Sequence, residues 1–136
     1  MPTAEKWEGR FRTVAAMVLL CRARATLTLF PLSRWRSTLG LAGGGNSLPT
    51  ADARRLAGAV ERAADRLPFE TKCLPRAMAL SWMLCRRGVA HSVVFAVRPA
   101  DRRHSADALH AWVEVGGSKI LGELPGPWIE TLRLGS

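Results

Sequence analysis

The spacing of the apolar residues changes at Gly88, and this change limits the folds open to the chain. Before Gly88 the apolar residues recur every three or four positions, which is the spacing of one face of an α-helix. After Gly88, segments rich in β-branched and aromatic residues are separated by turn residues, a pattern typical of strands. Helices followed by a three-strand antiparallel meander predict an α+β fold.

The first predicted helix runs from about residue 8 to residue 29, and Pro31 ends it. A basic turn over residues 32–39, which contains Trp35, follows this helix. One face of the helix is marked by apolar residues at helical spacing: Phe11, Val14, Ala15, Val18 and Leu19.

Two more helices are predicted before Gly88. One begins at about Thr50, which we expect to cap it, and ends before Pro68. Its apolar stripe is formed by Leu56, Ala59, Val60, Ala63, Ala64 and Leu67. The other begins at about Cys73, because Pro75 suits a first helical turn, where its missing amide hydrogen is not needed.

The strands are predicted over residues 92–98, 108–115 and 118–124. Gly116 and Gly117 provide a two-residue turn between the second and third strands. A polar, charged loop over residues 99–107 joins the first two strands.

A glycine-rich linker before residue 48 suggests how the chain is organised. At 136 residues the chain is long enough for a single compact domain. Within it, we expect an N-terminal hydrophobic and basic helical segment over residues 1–45 and a core over residues 46–136.

The formal net charge of +9 favours acidic partners. The arginines are spread over every predicted element, however, and form no basic stripe with stacking aromatics, so no nucleic-acid partner is expected. The apolar run over residues 14–21 is too short to span a bilayer, and no membrane contact is expected. Three cysteines without a CxxC pair indicate neither a disulfide framework nor a metal site, and a reducing cytoplasm fits best. No cofactor is predicted.

Cys73 is the best candidate for a nucleophile. Its predicted place at a helix N-terminus favours the thiolate through the unpaired amide hydrogens and the helix dipole. The neighbouring Lys72 and Arg76 are expected to lower its pKa further. Cys21 and Cys85, by contrast, are expected to be small core residues. The backbone amide of Cys73 is also a candidate oxyanion donor, and no second donor is identified.

His110 is the candidate base, because it lies on a predicted strand and faces away from the more apolar side. Counting back from the glycine turn pairs Val113 with Ile120 and His110 with Glu123. Opposed strand residues are close enough for a carboxylate to orient an imidazole, so Glu123 is the predicted third member. Asp107 is a weaker candidate for that role.

The chain resembles the lasso-peptide leader peptidases, a transglutaminase-like, papain-related family. The resemblance is carried by Lys72-Cys73-Leu74-Pro75-Arg76-Ala77, Trp82-Met83-Leu84, Arg86-Arg87-Gly88 and His110-Ala111-Trp112-Val113-Glu114. The segment Pro31-Leu32-Ser33-Arg34-Trp35 also matches, so the similarity covers most of the chain. Family members more often have an aspartate as the third residue, and Glu123 departs from that pattern.

The resemblance implies a transglutaminase-like core in which Cys73 is the nucleophile and His110 the base of a cysteine protease. It also implies cleavage of the leader segment from a ribosomally made precursor peptide before ring closure. The implied partners are that precursor, a leader-binding recognition protein and a separate ATP-using macrocyclase. Trp112, inside the matching motif, is a candidate substrate-binding residue.

Two other functions fit the same Cys-His layout. One is a different acyl transfer, such as transglutaminase or amidase chemistry, because a fold does not determine a reaction. The other is a non-catalytic module that binds peptide without cutting it.

Overall fold

The computed structural model describes residues 4–42, 48–99, 109–122 and 127–135, with side chains from Trp7 onward. Helices occupy the first part of the chain and an antiparallel sheet the second, so the predicted α+β class is confirmed. The helices are α1 (Ala4–Leu29), α2 (Leu32–Trp35), α3 (Thr50–Arg66) and α4 (Cys73–Arg86), with a 3₁₀ turn over Arg36–Thr38 after α2.

The strands are β1 (Ser92–Val97), β2 (Leu109–Val115), β3 (Ser118–Leu121) and β4 (Ile129–Leu134). Their order in the sheet is β3-β2-β1-β4, with every neighbouring pair antiparallel. The predicted meander of three strands is confirmed, and the sequence analysis missed β4, which extends the sheet beside β1. The missed strand, Ile129-Glu130-Thr131-Leu132-Arg133-Leu134, has exposed residues in its first half, so it shows only a weak buried pattern.

One hydrophobic core joins the helices to the sheet. α1 packs against both α3 and α4, and α4 packs against β2. The predicted stripe of α3 is confirmed over most of its length, since Leu56, Ala59, Val60, Ala63 and Ala64 are buried. Thr50 is not the N-cap of α3, however: Pro49 holds that position, and Thr50 is the first helical residue.

Most of the apolar residues that predicted α1 lie on its solvent face, and of that set Leu19 faces the core. Phe11, Val14 and Val18 are exposed, whereas Ala16, Leu19, Leu20 and Ala23 face the core. α1 is therefore apolar on two opposite faces, of which only one is covered by the rest of the described chain. None of the helices in the described ranges is both long enough and apolar enough to cross a bilayer.

The register between β2 and β3 is interrupted by a bulge. Val115 pairs with Ser118 and Glu114 with Lys119, as the glycine turn predicts, but Val113 then pairs with Leu121. The predicted pair of Val113 with Ile120 is therefore wrong. A bulge places two residues of one strand opposite one of the other, so every pair beyond it shifts. β3 ends at Leu121, and the part of β2 before Val113 has no β3 partner.

Candidate active site

Cys73 is the first residue of α4, and its side chain is half-buried there. Lys72 before it is extended, and Pro75 lies in the first helical turn, as the sequence predicts. The backbone amides of Leu74 and Ala111 both form hydrogen bonds with the sulfur. An amide hydrogen that points at a thiol stabilises the thiolate. The start of α4 and the part of β2 that pairs with β1 but not with β3 therefore both contribute to the environment of this sulfur.

His110 lies on β2 beside Cys73, and the two side chains form a hydrogen bond. Burial raises the pKa of Cys73, but the bond to His110 and the two amides outweigh burial and lower the pKa overall. For His110, burial lowers the pKa, while the bonds to Cys73 and to a backbone carbonyl raise it overall. The two shifts have opposite directions, and both favour the thiolate-imidazolium pair that a cysteine nucleophile needs.

The carbonyl that orients His110 belongs to Gly122. Nε2 of His110 forms a hydrogen bond with the Gly122 oxygen. A carbonyl oxygen only accepts, so Nε2 carries the proton of the neutral ring and Nδ1 is left for the thiol. The backbone of Gly122 therefore performs the role that the sequence analysis assigned to a carboxylate.

Gly122 is also the residue type that its position requires. Its φ is +83°, in the backbone region that residues with a side chain rarely adopt. A Cβ atom added there would lie 2.9 Å from the Ala111 oxygen and 3.3 Å from Cβ of Trp112. The lack of a side chain allows the chain to pass close to β2 and to present its carbonyl to His110.

Two tryptophan rings lie beside the imidazole, tilted to its plane by 42° and 31°. The ring centres of Trp112 and Trp128 lie 5.9 Å and 5.1 Å from that of His110. Trp112 is only 5% exposed, and its Nε1 donates to Glu114 at 2.7 Å. This burial leaves little of Trp112 for contact with a substrate. The predicted substrate-binding role stays a prediction, whereas a role in packing against His110 is observed.

A cleft of about 280 Å³ opens beside the pair. It is lined by Glu61, Thr71, Cys73, Arg76, His110, Leu121 and Gly122. On one wall, Arg76 donates to Glu61 at 2.7 Å and to the Thr71 carbonyl at 3.1 Å. Arg76 is thus held by these partners, and the lowered pKa of Cys73 comes from His110 and the amides rather than from Arg76.

The other predicted residues have separate outcomes. Glu123 and Asp107 lie outside the described residues, so both stay predictions. Cys85 is half-buried near the end of α4, and burial raises its pKa. Cys21 is exposed, so its predicted core position is wrong. It lies on the same outer face of α1 as Val14 and Val18.

Sequence reasoning missed Gly122, Trp128, Glu61 and Thr71 as site residues. A single glycine inside the predicted strand over residues 118–124 was the available signal for Gly122, because such glycines often mark a close backbone approach. Trp128 precedes the strand that was also missed. Glu61 belongs to α3, and only the packing of α3 on α4 brings it to the cleft. Among the described residues, no cluster of His, Cys, Asp and Glu has an arrangement suited to a metal ion.

The hydrogen-bonded pair of Cys73 at the start of α4 and His110 on β2 suits nucleophilic acyl chemistry. Comparison with known proteins gives a match to the transglutaminase-like superfamily model over residues 14–129, which includes α1 from Val14 onward, Cys73, His110 and Gly122. Neither the curated proteins nor the solved structures include a significant match. That superfamily includes cysteine peptidases and acyltransferases, and its core agrees with the predicted fold. Because the match covers most of the chain, the protein belongs to the transglutaminase-like superfamily.

Proposed function

We propose that this protein is a cysteine peptidase that removes the leader segment from a ribosomally made lasso-peptide precursor. The observation that carries the proposal is the hydrogen-bonded pair of Cys73 and His110, with its thiol pKa lowered, in a cleft at the start of α4. The motifs around both residues support the choice of precursor, since they resemble those of leader peptidases.

In the proposed reaction, the Cys73 thiolate attacks the scissile carbonyl and forms a tetrahedral intermediate. His110 then gives its proton to the departing amine, which leaves a thioester on Cys73. Water activated by His110 hydrolyses the thioester and releases the leader with a free carboxylate. The proton returns to the pair, so atoms and charge balance over the cycle.

We also propose that the backbone amide of Cys73 stabilises the oxyanion. The amide of Leu74 already points at the sulfur, and Lys72 at the N-cap has no acceptor atom in its side chain with which to cap the helix. The backbone amide of Cys73 therefore lies in the first turn of α4 and donates no capping bond to the Lys72 side chain, so it can donate to an oxyanion. No second donor is proposed.

The proposed partners are the precursor peptide, a leader-binding recognition protein and an ATP-using macrocyclase. The cleft is small for a long peptide, and its volume of about 280 Å³ has room for only a few residues around the scissile bond. A recognition protein that binds the leader would supply the remaining affinity by holding the precursor at high effective concentration.

The test is incubation of the protein with a leader-core precursor and the recognition protein, followed by mass spectrometry. We expect two fragments whose masses sum to the precursor plus one water. Cys73→Ala and His110→Ala should each lower the rate by about 10³-fold or more, while Cys85→Ala is the matched control and should cut normally.

Other products would identify other functions. A mass gain that matches amine incorporation would contradict the peptidase and indicate acyl transfer to an amine. An intact precursor that nevertheless co-elutes with the protein would indicate a binding module. Circular dichroism of the two inactive variants separates a lost reaction from a lost fold.

A further inference from the structure

The outer face of α1 carries a continuous apolar seam. Its exposed residues follow one another at alternating steps of four and three: Trp7, Phe11, Val14, Val18, Cys21 and Ala25. Phe11 is 70% exposed and Val18 is 61% exposed. This alternation is the heptad spacing at which one helix packs along another. A helix that is apolar on two opposite faces, with one face left in water, is typical of a helix that binds a partner.

A groove of about 460 Å³ runs beside this seam. Its apolar part is formed by Phe11, Ala15, Leu19 and Met83. Three arginines complete its lining: Arg12, Arg86 and Arg87. The groove lies at the C-terminal end of α4, and Cys73 at the other end of that 14-residue helix is about 20 Å away. A partner seated in the groove therefore leaves the Cys73 cleft open.

The charges around the groove determine which partner fits. Glu8 lies 3.6 Å from Arg12 and offsets the positive charge of that one arginine. Crowding by Arg12 and Arg86 adds to burial in lowering the pKa of Arg87, as expected where positive charges face one another. A second copy of this chain would bring the same positive charges into contact and be repelled. An interfacial membrane helix uses a broader apolar face than this narrow seam.

We propose that the α1 seam and its arginine-lined groove dock an amphipathic α-helix of a partner protein, with apolar residues at heptad spacing and acidic residues on its flanks. Apolar knobs of the partner pack between Phe11, Val14 and Val18, and its carboxylates face the arginines of the groove. The proposal goes beyond peptide cleavage and stands independently of it, since the surface and the Cys73 cleft share no lining residue.

The experiment uses a defined probe and the full chain. The probe is a synthetic three-heptad peptide with Leu at the a and d positions and Glu at e and g, which keeps it from pairing with itself at neutral pH. The matched peptide carries Lys at e and g. Titration calorimetry at low salt should show the Glu peptide binding at least about tenfold more tightly than the Lys peptide, with the difference shrinking as salt rises.

Variants locate the binding surface. Val18→Asp and Arg86→Glu change exposed side chains, and each should weaken binding of the Glu peptide by about tenfold or more. Ile129→Asp is the control, because Ile129 is an exposed apolar residue on β4, away from α1, and binding should stay within about twofold. Circular dichroism verifies that each variant is folded.

Four outcomes would overturn the proposal: no binding of the Glu peptide, equal binding of both peptides, binding unaffected by Val18→Asp, or a dimer of the free protein that Val18→Asp dissociates. The last would show that a second copy covers the seam. Binding to phosphatidylglycerol vesicles without binding of the Glu peptide would assign the seam to a membrane surface instead.

Discussion

At the scale of single residues, a backbone atom among the described residues orients His110. The Gly122 carbonyl accepts a hydrogen bond from the Nε2–H group, and Nδ1 is left for Cys73. A carbonyl offers a dipole where a carboxylate offers a full charge, so it fixes the tautomer while stabilising the imidazolium less. Among the described residues, the negative charge that raises the pKa of the ring is that of Cys73, which couples the two side chains.

This coupling predicts the reactivity of the three thiols. In the wild-type protein, the rate of Cys73 alkylation by iodoacetamide should rise with pH at a midpoint below that of an ordinary thiol, because its pKa is lowered. The midpoint should move up in His110→Ala, which removes the largest stabilising partner. Peptide mapping of the alkylated sites by mass spectrometry measures each cysteine separately.

Cys85 and Cys21 provide the internal comparison for that measurement. Cys85 should react only at higher pH, because burial raises its pKa. Cys21 is exposed on the outer face of α1, and the same peptide mapping follows its alkylation separately from that of Cys73. Equal midpoints for Cys73 and Cys85 would contradict the assignment of Cys73 as the activated thiol.

Gly122→Ala should separate the role of this backbone position from ordinary glycine strain. The new Cβ would press on the Ala111 oxygen and displace the carbonyl from His110. We expect cleavage to fall by about 10- to 100-fold, since the base loses its orientation. Gly117→Ala is the matched control: its φ is +82°, and a Cβ there meets nothing within 4 Å. The positive φ alone strains each variant by roughly 1 kcal/mol, and only Gly122→Ala adds a close contact. Equal activity of the two variants would remove Gly122 from the site.

At the scale of elements, the site depends on where β3 stops. Among the described residues, the bulge and the end of β3 at Leu121 leave the first half of β2 without a partner on that side, and the amide of Ala111 there binds the Cys73 sulfur. The sequence predicted both elements that carry the pair, because helix starts and alternating strands have local signals. It could not predict the bulge, since the turn fixes only the pairs next to it and the sequence carries no local signal for the shift beyond them.

The unpredicted bulge also bears on the role predicted for Glu123, which lies outside the described residues. A count through an uninterrupted ladder placed Glu123 opposite His110, and the bulge ends that count at Val113. With Nε2 on Gly122 and Nδ1 left for Cys73, the imidazole has no further nitrogen for a carboxylate. We therefore expect Glu123→Gln to keep its rate of precursor cleavage within about threefold of wild type. A loss of about 100-fold with an intact fold would restore Glu123 as the orienting acid.

At the scale of the whole molecule, a buried histidine joins the helices to the sheet. His91 is 4% exposed and lies just before β1. Its Nδ1 donates to the Val89 carbonyl at 2.8 Å, and its Nε2 accepts from the Ser81 hydroxyl of α4 at 2.7 Å. Ser81 in turn accepts from the amide of Gly40, and the next residue, Leu41, forms a bridge with the His91 backbone. This network connects α4, the sheet and the segment after α2.

The network predicts how the stability of the protein depends on pH. Burial lowers the pKa of His91 below its usual 6.5, although the Val89 carbonyl acts in the opposite direction. The unfolded chain therefore binds this proton more readily than the folded protein, and the folded state loses stability as the pH falls from 6.5 through the lowered pKa. Above pH 6.5 the contribution is fully present. The melting temperature should fall as the pH is lowered from 8 to 5.

His91→Gln isolates this effect, because glutamine does not titrate. The variant should melt at a lower temperature than wild type at pH 8, since the hydrogen bonds to Val89 and Ser81 are disturbed. Its melting temperature should fall less than that of wild type between pH 8 and pH 5. His110 has a raised pKa, so its own contribution changes in the opposite direction and is present in both proteins. The difference between the two melting curves therefore reports His91 alone. Parallel curves would show that the pKa of His91 is the same in the folded and the unfolded chain, which would contradict the lowered pKa.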